Sequence, residues 1–289
     1  MTKPPAAQPS LKKELSLLDA ALLLVGGVIG SGIFLTAGQI ATSLRRPDVF
    51  ILIWIAGGAI SLLACFAVAE LGGMFPQAGG QYVFLREAYG ELPAFLYGWM
   101  IFAVVQTGTI AALAVGFAQY FCAVLFPDAK PWLTFHAGPA TIDFSLQKIV
   151  AIAGIAVLTT LNVFGVKKGS ILVNLSTWLK FAAIAALVIL GLLFGKGDWS
   201  HFSNYSAPGV DAPPAGSALL IAFGVALISV LFAFDGWIYI TWVAGEIKDA
   251  ARNVPKALII GVSTVALVYL AINLMYVYAL PLPVIMKMA

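Results

Sequence analysis

The sequence predicts an all-α integral membrane protein with about seven transmembrane helices. Hydrophobic residues make up 61% of the 289 residues and charged residues only 10%, whereas soluble domains carry roughly 25% charged residues. The mean hydropathy of +0.99 agrees with this composition. Apolar runs recur along the chain at the length of roughly 20 residues that a bilayer core about 30 Å thick requires. A water-soluble fold is therefore excluded.

Seven apolar runs, bounded by charged or turn residues, are long enough to cross a bilayer. The third is longer than a span requires, which predicts a helix that tilts or projects from the membrane. The polar residues before the first run contain no short apolar core followed by a cleavage site, so we expect no removed signal peptide. The seven runs are Leu17–Leu44, Val49–Met74, Leu92–Phe126, Ile149–Val166, Ile171–Phe194, Ser217–Ala244 and Pro255–Leu280.

The lysine and arginine residues of the short loops predict a cytoplasmic N-terminus in the inner or plasma membrane. With that orientation nine basic residues lie inside and six lie outside, while Lys180 lies within the fifth run. Seven crossings then place the C-terminus outside. The inside set is Lys3, Lys12, Lys13, Arg86, Lys167, Lys168, Lys248, Arg252 and Lys256, and the outside set is Arg45, Arg46, Lys130, Lys148, Lys196 and Lys287.

Four glycines interrupt the first apolar run at mid-membrane depth, namely Gly26, Gly27, Gly30 and Gly32. Glycine costs a helix about 1 kcal/mol relative to alanine, so the cluster marks a place where the helix can unwind. Close helix packing is the alternative interpretation, because Gly26 and Gly30 form a small-xxx-small pattern.

The sixth run has a related interruption, where Asp235 and Gly236 fall in the middle of an otherwise apolar segment. A charge at that depth costs about 2.5–3.5 kcal/mol, so Asp235 is expected to face a cavity or a helix end. We interpret it as an N-cap of the following helix rather than as a proton carrier. Interruptions in corresponding runs of two halves indicate the binding site of an inverted-repeat transporter. The first and sixth runs correspond if the repeat unit is five helices.

Both interruptions must line water or bind a polar ligand, because hydrocarbon cannot satisfy unwound backbone. The N–H groups that open the second half of the first helix, at Ser31, Gly32 and Ile33, suit a carboxylate. The carbonyls that end the first halves suit an ammonium group. We therefore expect the two breaks to lie side by side and to bind an α-amino acid. The candidate residues are Val28, Ile29, Gly30, Ser31, Gly32, Ile33, Phe232, Ala233, Phe234, Asp235 and Gly236.

Lys180 lies about nine residues into the fifth run, on the order of 13 Å deep at 1.5 Å per residue. A lysine at such a depth is a functional candidate by default. A snorkelling or purely structural ammonium is the alternative.

Four motifs follow one another along the chain, namely GVIGSGIF (Gly27–Phe34), AELGGMFPQAGGQYVFLREAYG (Ala69–Gly90), FAFDGW (Phe232–Trp237) and GEIKDAARNVPKAL (Gly245–Leu258). In this order they resemble the amino acid–polyamine–organocation superfamily, and most closely its L-type, bacterial amino acid permease branch. The resemblance covers nearly the whole chain. It implies a five-plus-five inverted repeat of the leucine transporter type with broken helices one and six. It also implies a secondary active transporter that moves amino acids by alternating access, as an exchanger or a proton-coupled symporter.

The resemblance assigns roles to individual residues of the two breaks. Ser31 and Gly32 would bind the substrate carboxylate through their backbone N–H groups. The carbonyls of Val28, Phe232 and Asp235 would receive the substrate amine. Phe232 also resembles the aromatic gate that closes over the substrate.

A coupling role for Lys180 is also implied by the resemblance. Thr177 and Lys180 look like a threonine and a lysine of helix five, where the lysine occupies the place of a sodium ion in sodium-coupled relatives. Its depth and this resemblance together place Lys180 beside the break in helix one, so we expect it to donate hydrogen bonds to the carbonyls freed around Gly26 to Gly30.

The implied organisation has four parts. A cytoplasmic tail (1–16) precedes a first repeat with helices one to five (17–195), an extracellular loop (196–216), and the start of a second repeat with helices six and seven (217–289). The resemblance stops after helix seven, so helices eight to ten are expected to be missing from this chain.

Other classes of function have less support. A seven-helix receptor has its N-terminus outside, and a channel needs a polar stripe along several helices. An enzyme is not expected, because no nucleophile with its base and no paired carboxylates stand at one depth. We expect no cofactor or metal site, since Cys65 and Cys122 lie in apolar runs and His136 and His201 are isolated.

The expected partners are an amino acid substrate and the lipid bilayer. No nucleic acid is expected, because the net charge of +3 is spread over several loops. Some animal members of the superfamily bind a glycoprotein through a cysteine between helices three and four. The loop from Pro127 to Lys148 has no cysteine, so we expect no disulfide-linked subunit there. The amino acid that is carried, and the choice between exchange, proton symport and uniport, stay open.

Overall fold

A computed structural model of the chain describes residues 11–30, 32–129, 131–137, 140–163, 166–195, 197–203 and 212–287. The chain forms two compact units. The first combines Met1–Val83 with Ser170–Ala289, and the second is Phe84–Gly169. The described candidate residues all lie in the first unit.

Helices account for most of the described residues, and a single two-stranded sheet lies among them. The α-helices are α1 (Leu17–Val28), α2 (Gly32–Leu44), α3 (Pro47–Met74), α4 (Gln81–Tyr89), α5 (Glu91–Met100), α6 (Thr107–Leu125), α7 (Leu146–Val163), α8 (Val166–Phe194), α9 (Ser217–Ala233), α10 (Ala250–Ala279) and α11 (Leu282–Met286). Ile101–Gln106 is π-helical, Trp199–Phe202 and Trp237–Glu246 are 3₁₀-helical, and the strands are β1 (Leu133–Ala137) and β2 (Ala140–Phe144).

The described helices agree with six of the seven spans that the sequence predicts, with ends displaced by a few residues. Six segments are long and apolar enough to cross a membrane, and α1 with α2 makes a seventh if that bent pair is one span. The six are Pro47–Met74, Glu91–Leu125, Leu146–Val163, Gly169–Phe194, Ser217–Glu246 and Ala250–Ala279.

The third span is a continuous helical segment of 35 residues, longer than a bilayer core requires. A π-helical turn interrupts its α geometry between α5 and α6. There the Thr107 hydroxyl donates to the Phe102 carbonyl, five residues earlier, at 2.6 Å.

Helix α10 is central to the first unit, because it packs along α3 and against α1. Small residues allow this close approach. A β-carbon at Gly261 would lie 2.6 Å from Leu24 Cδ2, and one at Gly72 would lie 3.0 Å from Val254 Cγ1. Helix α2 packs on α9, so the two interrupted runs of the sequence are neighbours.

The segment before α1 is held by a distant part of the chain. Leu15 forms a parallel β-bridge with Ile247, and both side chains are fully buried. The Leu15 N–H donates to the Glu246 carbonyl at 3.0 Å, and the Lys248 N–H donates to the Leu15 carbonyl at 2.9 Å. This bridge fixes the start of α1 against the connection between the sixth and seventh spans.

The second unit contains a β-hairpin that the sequence reasoning did not predict. Strands β1 and β2 are antiparallel, with Leu133 opposite Phe144. Beyond the hairpin, the Lys148 ammonium donates to Asp143 Oδ1 at 2.9 Å, and this hydrogen bond lowers the pKa of the Asp143 carboxyl below its ordinary value. Helix α6 packs against α7 in the same unit.

Candidate functional site

The first break separates α1 from α2. Helix α1 ends at Val28, and Ile29 leaves helical geometry with φ −71° and ψ 97°. Helix α2 begins at Gly32, and the axes of α1 and α2 differ by 45°. Ser31, which the sequence predicts as a carboxylate ligand, lies outside the described residues. The change of direction frees the last carbonyls of α1 from helical hydrogen bonding.

The second interruption follows α9. That helix ends at Ala233, and a turn through Phe234 and Asp235 leads to Gly236, which has φ +111°. Residues with a side chain rarely adopt this backbone conformation, so glycine is required here. The chain then continues as the 3₁₀ segment Trp237–Glu246.

The two interruptions touch each other. A β-carbon at Gly236 would lie 3.2 Å from the Gly27 carbonyl oxygen and 3.6 Å from Val28 Cα. On the other side, a β-carbon at Gly32 would lie 3.7 Å from Ala233 Cα. Backbone therefore meets backbone at this point, as expected from the sequence.

Lys180 holds the end of α1. Its ammonium donates to the Gly26 carbonyl at 2.9 Å and to the Ile29 carbonyl at 2.8 Å. Both carbonyls lie within the stretch from Gly26 to Gly30 in which the sequence predicts the partners of Lys180. The cation thus stands at the negative end of the α1 dipole. Its coupling role stays a prediction.

One polar face of helix α8 contacts α1. Asn174 Nδ2 donates to Asp19 Oδ1 at 2.8 Å, and Thr177 Oγ1 lies 3.3 Å from the Leu22 carbonyl oxygen. Together with Lys180 these residues recur every three positions on α8, so they share one face of that helix. From one contact to the next, the residue numbers rise on both helices, so α1 and α8 run parallel.

Tyr269 of α10 connects the ends of α1 and α9. Its hydroxyl lies 2.9 Å from the Ala233 carbonyl oxygen and 3.2 Å from the Val28 carbonyl oxygen. The side chain is only 1% exposed. Its ring packs edge-on against Trp54 and Phe234, at centroid distances of 5.7 Å and 5.0 Å.

The structure separates the two interpretations of the first-run glycines. Gly26 is a packing glycine, because a β-carbon there would lie 2.1 Å from Thr177 Oγ1. Gly27 and Gly30 have open space around the corresponding position in the described part of the chain. Close packing therefore accounts for the glycine at Gly26. It does not account for Gly27 and Gly30, which we attribute to the interruption of the helix.

The N-cap interpretation of Asp235 is wrong. The N-cap position of the 3₁₀ segment is Gly236, and no side chain caps it. The Asp235 carboxylate instead accepts a hydrogen bond from the Tyr239 hydroxyl at 3.2 Å. The cause is the left-handed Gly236, which inserts one more residue between Asp235 and the helical segment.

The remaining candidates differ in burial. Ile29, Ile33 and Phe234 are buried, whereas the Phe232 side chain is 72% exposed. The Phe232 carbonyl accepts the Asp235 N–H at 3.1 Å within the turn. The aromatic ring enclosed at the interruption is therefore that of Phe234.

Sequence reasoning missed Tyr269 as a site residue. A tyrosine in the middle of an apolar run was the available signal, because a buried tyrosine hydroxyl usually finds a polar partner. Its partners lie on two other helices, so the sequence does not indicate them. Among the described residues, no cluster of three histidine, cysteine or acidic side chains is suited to a metal ion.

Taken together, the long apolar helices define a multi-pass α-helical membrane protein in which two interruptions of the helices touch each other. A family model described as "Amino acid permease" matches residues 15–288, and the chain belongs to this family. This match confirms the superfamily that the four sequence motifs indicate.

Characterised relatives carry transporter names. The chain is 32% identical to b(0,+)-type amino acid transporter 1 of Mus musculus over 268 residues, covering 92% of this chain and 51% of that protein. It is 31% identical to the serine/threonine exchanger SteT of Bacillus subtilis (strain 168), covering 91% and 54%. It is 28% identical to Asc-type amino acid transporter 1 of Homo sapiens, covering 94% and 49%. The chain spans about half the length of the curated relatives it matches.

Proposed function

We propose that this chain forms the amino acid-binding part of a secondary active transporter, which moves amino acids by alternating access as an exchanger or a proton-coupled symporter. In this proposal α1 with α2 is the broken helix one of a five-plus-five inverted repeat. Helix α9 with Trp237–Glu246 is the broken helix six. The protein lies in the cell membrane with its N-terminus in the cytoplasm, and it acts as a transporter rather than as an enzyme.

The observation that carries the proposal is the meeting of opposite helix ends. The carbonyl ends of α1 and α9 converge on one hydroxyl, that of Tyr269. The N-terminal end of α2 begins at Gly32, beside Ala233. Carbonyl ends attract an ammonium group and N–H ends attract a carboxylate. An α-amino acid carries both groups on one carbon, so this arrangement suits its constant part.

The names of the relatives suggest which amino acids to test first. One relative is named a serine/threonine exchanger, and another is named a large neutral amino acids transporter. We therefore propose uncharged amino acids as the first candidates. No disulfide-linked subunit is proposed for the loop between the third and fourth spans, which contains no cysteine.

The decisive experiment is counterflow in liposomes that contain the complete protein. Labelled L-serine, L-threonine and L-leucine are each tested with the free amino acid, its methyl ester and its N-acetyl derivative as competitors. We expect at least one free amino acid to compete and both blocked forms to lose about tenfold or more, because each loses a charge-assisted hydrogen-bonding end. Equal competition by an amino acid and its methyl ester would contradict backbone recognition.

A receptor and a channel are the other membrane classes that the sequence leaves open. Nothing in the described part of the structure favours either of them. The counterflow experiment separates them from a transporter, since neither exchanges labelled substrate against an internal pool.

A further inference from the structure

Two buried polar atoms on α3 and α10 have no hydrogen-bond partner among the described residues. They are the indole nitrogen Nε1 of Trp54 on α3 and the side-chain oxygen Oδ1 of Asn273 on α10. Trp54 is 2% exposed and Asn273 is 0% exposed. Burying a polar group without a partner is costly, and nearly all such groups in proteins are satisfied. Each of these two atoms therefore requires an explanation.

The orientation of the Asn273 amide is determined by its other end. Its Nδ2 donates to the Tyr269 carbonyl at 2.8 Å. A carbonyl oxygen only accepts hydrogen bonds, so exchanging the nitrogen and the oxygen of the amide would place two acceptors against each other. Oδ1 is therefore the unpartnered end of the side chain. The two buried atoms are thus one donor, on Trp54, and one acceptor, on Asn273.

Helices α3 and α10 pack antiparallel. A β-carbon at Gly58 would lie 3.3 Å from Ala266 Cβ, and one at Gly72 would lie 3.0 Å from Val254 Cγ1. Residue numbers therefore fall on α10 as they rise on α3. It follows that the N-terminal direction of one helix is the C-terminal direction of the other.

Trp54 and Asn273 lean towards each other in this arrangement. Trp54 lies one turn before Gly58, and Asn273 lies two turns after Ala266, on the same face of its helix. Helical side chains point back towards the N-terminus of their own helix, so these two side chains converge from opposite directions. The ring of Tyr269, one turn before Asn273, contacts the Trp54 ring at a centroid distance of 5.7 Å, which agrees with this depth.

A ligand between these atoms has to accept one hydrogen bond and donate another. The indole N–H only donates, which opposes a cation, and the amide oxygen only accepts, which opposes an anion. A hydroxylic group has both capacities. Water is the smallest such group, and buried waters characteristically join polar atoms that have no other partner.

We propose that one resident water molecule bridges Trp54 Nε1 and Asn273 Oδ1 and thereby joins α3 to α10. The water accepts the indole N–H and donates to the amide oxygen. Asn273 in turn bonds the Tyr269 carbonyl, and the Trp54 ring packs on the Tyr269 ring. The water therefore closes a ring of contacts between the two helices. This inference goes beyond the proposed function, because it concerns the protein without substrate.

The direct test is an experimental structure of the complete protein, without substrate, at a resolution that shows ordered water. We expect one water oxygen at about 2.7–3.2 Å from both Trp54 Nε1 and Asn273 Oδ1, and the same water after addition of L-leucine. A direct hydrogen bond between the two side chains, or a water at neither or only one of them, overturns the inference. Density that appears only with L-serine also overturns it, because a substrate hydroxyl would then occupy the position.

A double-mutant cycle tests the bridge by stability. Trp54→Phe removes the donor and Asn273→Leu removes the acceptor, and each should lower the apparent Tm of the detergent-solubilised protein by several degrees. Either change alone breaks the bridge, so the double variant should lose clearly less than the sum of the two shifts. The control cycle combines Asn273→Leu with Ser61→Ala, a buried residue of α3 two turns beyond Trp54, and should be additive. Additive shifts in the first cycle, or equal coupling in both, contradict the bridge.

Discussion

Lys180 shows how one side chain can stabilise a helix end inside a membrane. Its ammonium bridges the Gly26 and Ile29 carbonyls at 2.9 Å and 2.8 Å. A lysine within a span is costly unless it finds partners, and carbonyls at the end of α1 lack partners of their own. The ammonium supplies donors to these carbonyls, and the carbonyls supply acceptors to the ammonium. Each therefore lowers the cost of placing the other inside the membrane.

Lys180→Ala in the complete protein should cause a severe loss of transport, while the protein still inserts and folds. Two hydrogen bonds from a charged group are lost, each worth about 1.5–3 kcal/mol, and the end of α1 is no longer held in one arrangement. Lys180→Arg should also impair transport, because a planar guanidinium does not replace a compact ammonium. Initial uptake rates at pH 5 to 8, normalised to membrane protein, provide the measurement.

Lys256→Ala is the control for that experiment, since Lys256 is an exposed lysine of α10. It should transport like the wild type. If Lys180→Ala also transports at the wild-type rate across the pH range, Lys180 is a structural or snorkelling lysine and has no coupling role.

At the scale of elements, the sequence predicts the spans well because length and apolar composition alone decide which segments cross a bilayer. The interruptions were also predictable, since glycine clusters and an intramembrane Asp235 are visible in one dimension. The β-hairpin was missed even though its short β-type runs flank a Gly-Pro turn signal. The bridge between Leu15 and Ile247 joins residues far apart in sequence, and no local pattern indicates such a pair.

The fit of α1 on α8 gives a prediction for this pair of helices. Gly26→Ala should destabilise the protein by about 1–3 kcal/mol, the usual cost of overpacking, because the new β-carbon would lie 2.1 Å from Thr177 Oγ1. Adding Thr177→Ala removes that oxygen and should restore part of the loss. Thermal unfolding of the detergent-solubilised protein measures the four combinations as a double-mutant cycle.

Gly27→Ala serves as the comparison on the same helix. Nothing in the described structure lies within 4 Å of its new β-carbon, and alanine favours helix by about 1 kcal/mol. It should leave the apparent Tm unchanged or raise it. Equal destabilisation by Gly26→Ala and Gly27→Ala would show that helix packing against Thr177 is not the reason for the glycine.

The site combines features of very different predictability. The residues of both interruptions are consecutive in sequence, so the places where the backbone leaves α geometry could be inferred from the chain alone. Phe234, rather than Phe232, is enclosed, and the sequence could not decide this because both lie in one apolar run. The Asp235 interpretation failed because the left-handed conformation of Gly236 shifts the start of the next helical segment by one residue.

At the scale of the whole molecule, orientation determines which side of the membrane each connection between spans faces. The distribution of nine basic residues inside and six outside is a modest bias, yet basic residues in short loops are the principal determinant of topology. It predicts that the connection containing Lys248 lies in the cytoplasm and that the connection containing Asp128 lies outside. Both residues are exposed, so either can be replaced by a cysteine without disturbing packing.

Single-cysteine variants therefore test the orientation in intact cells. Cys65 and Cys122 are free and buried, and both are first replaced by alanine to give an unlabelled background. A membrane-impermeant maleimide should then label Asp128→Cys in intact cells, whereas Lys248→Cys should be labelled only after the membrane is permeabilised. Because successive spans alternate in direction, labelling of Lys248→Cys but not Asp128→Cys in intact cells would invert the whole topology. It would also move the bridge between Leu15 and Ile247 from the cytoplasmic to the outer side.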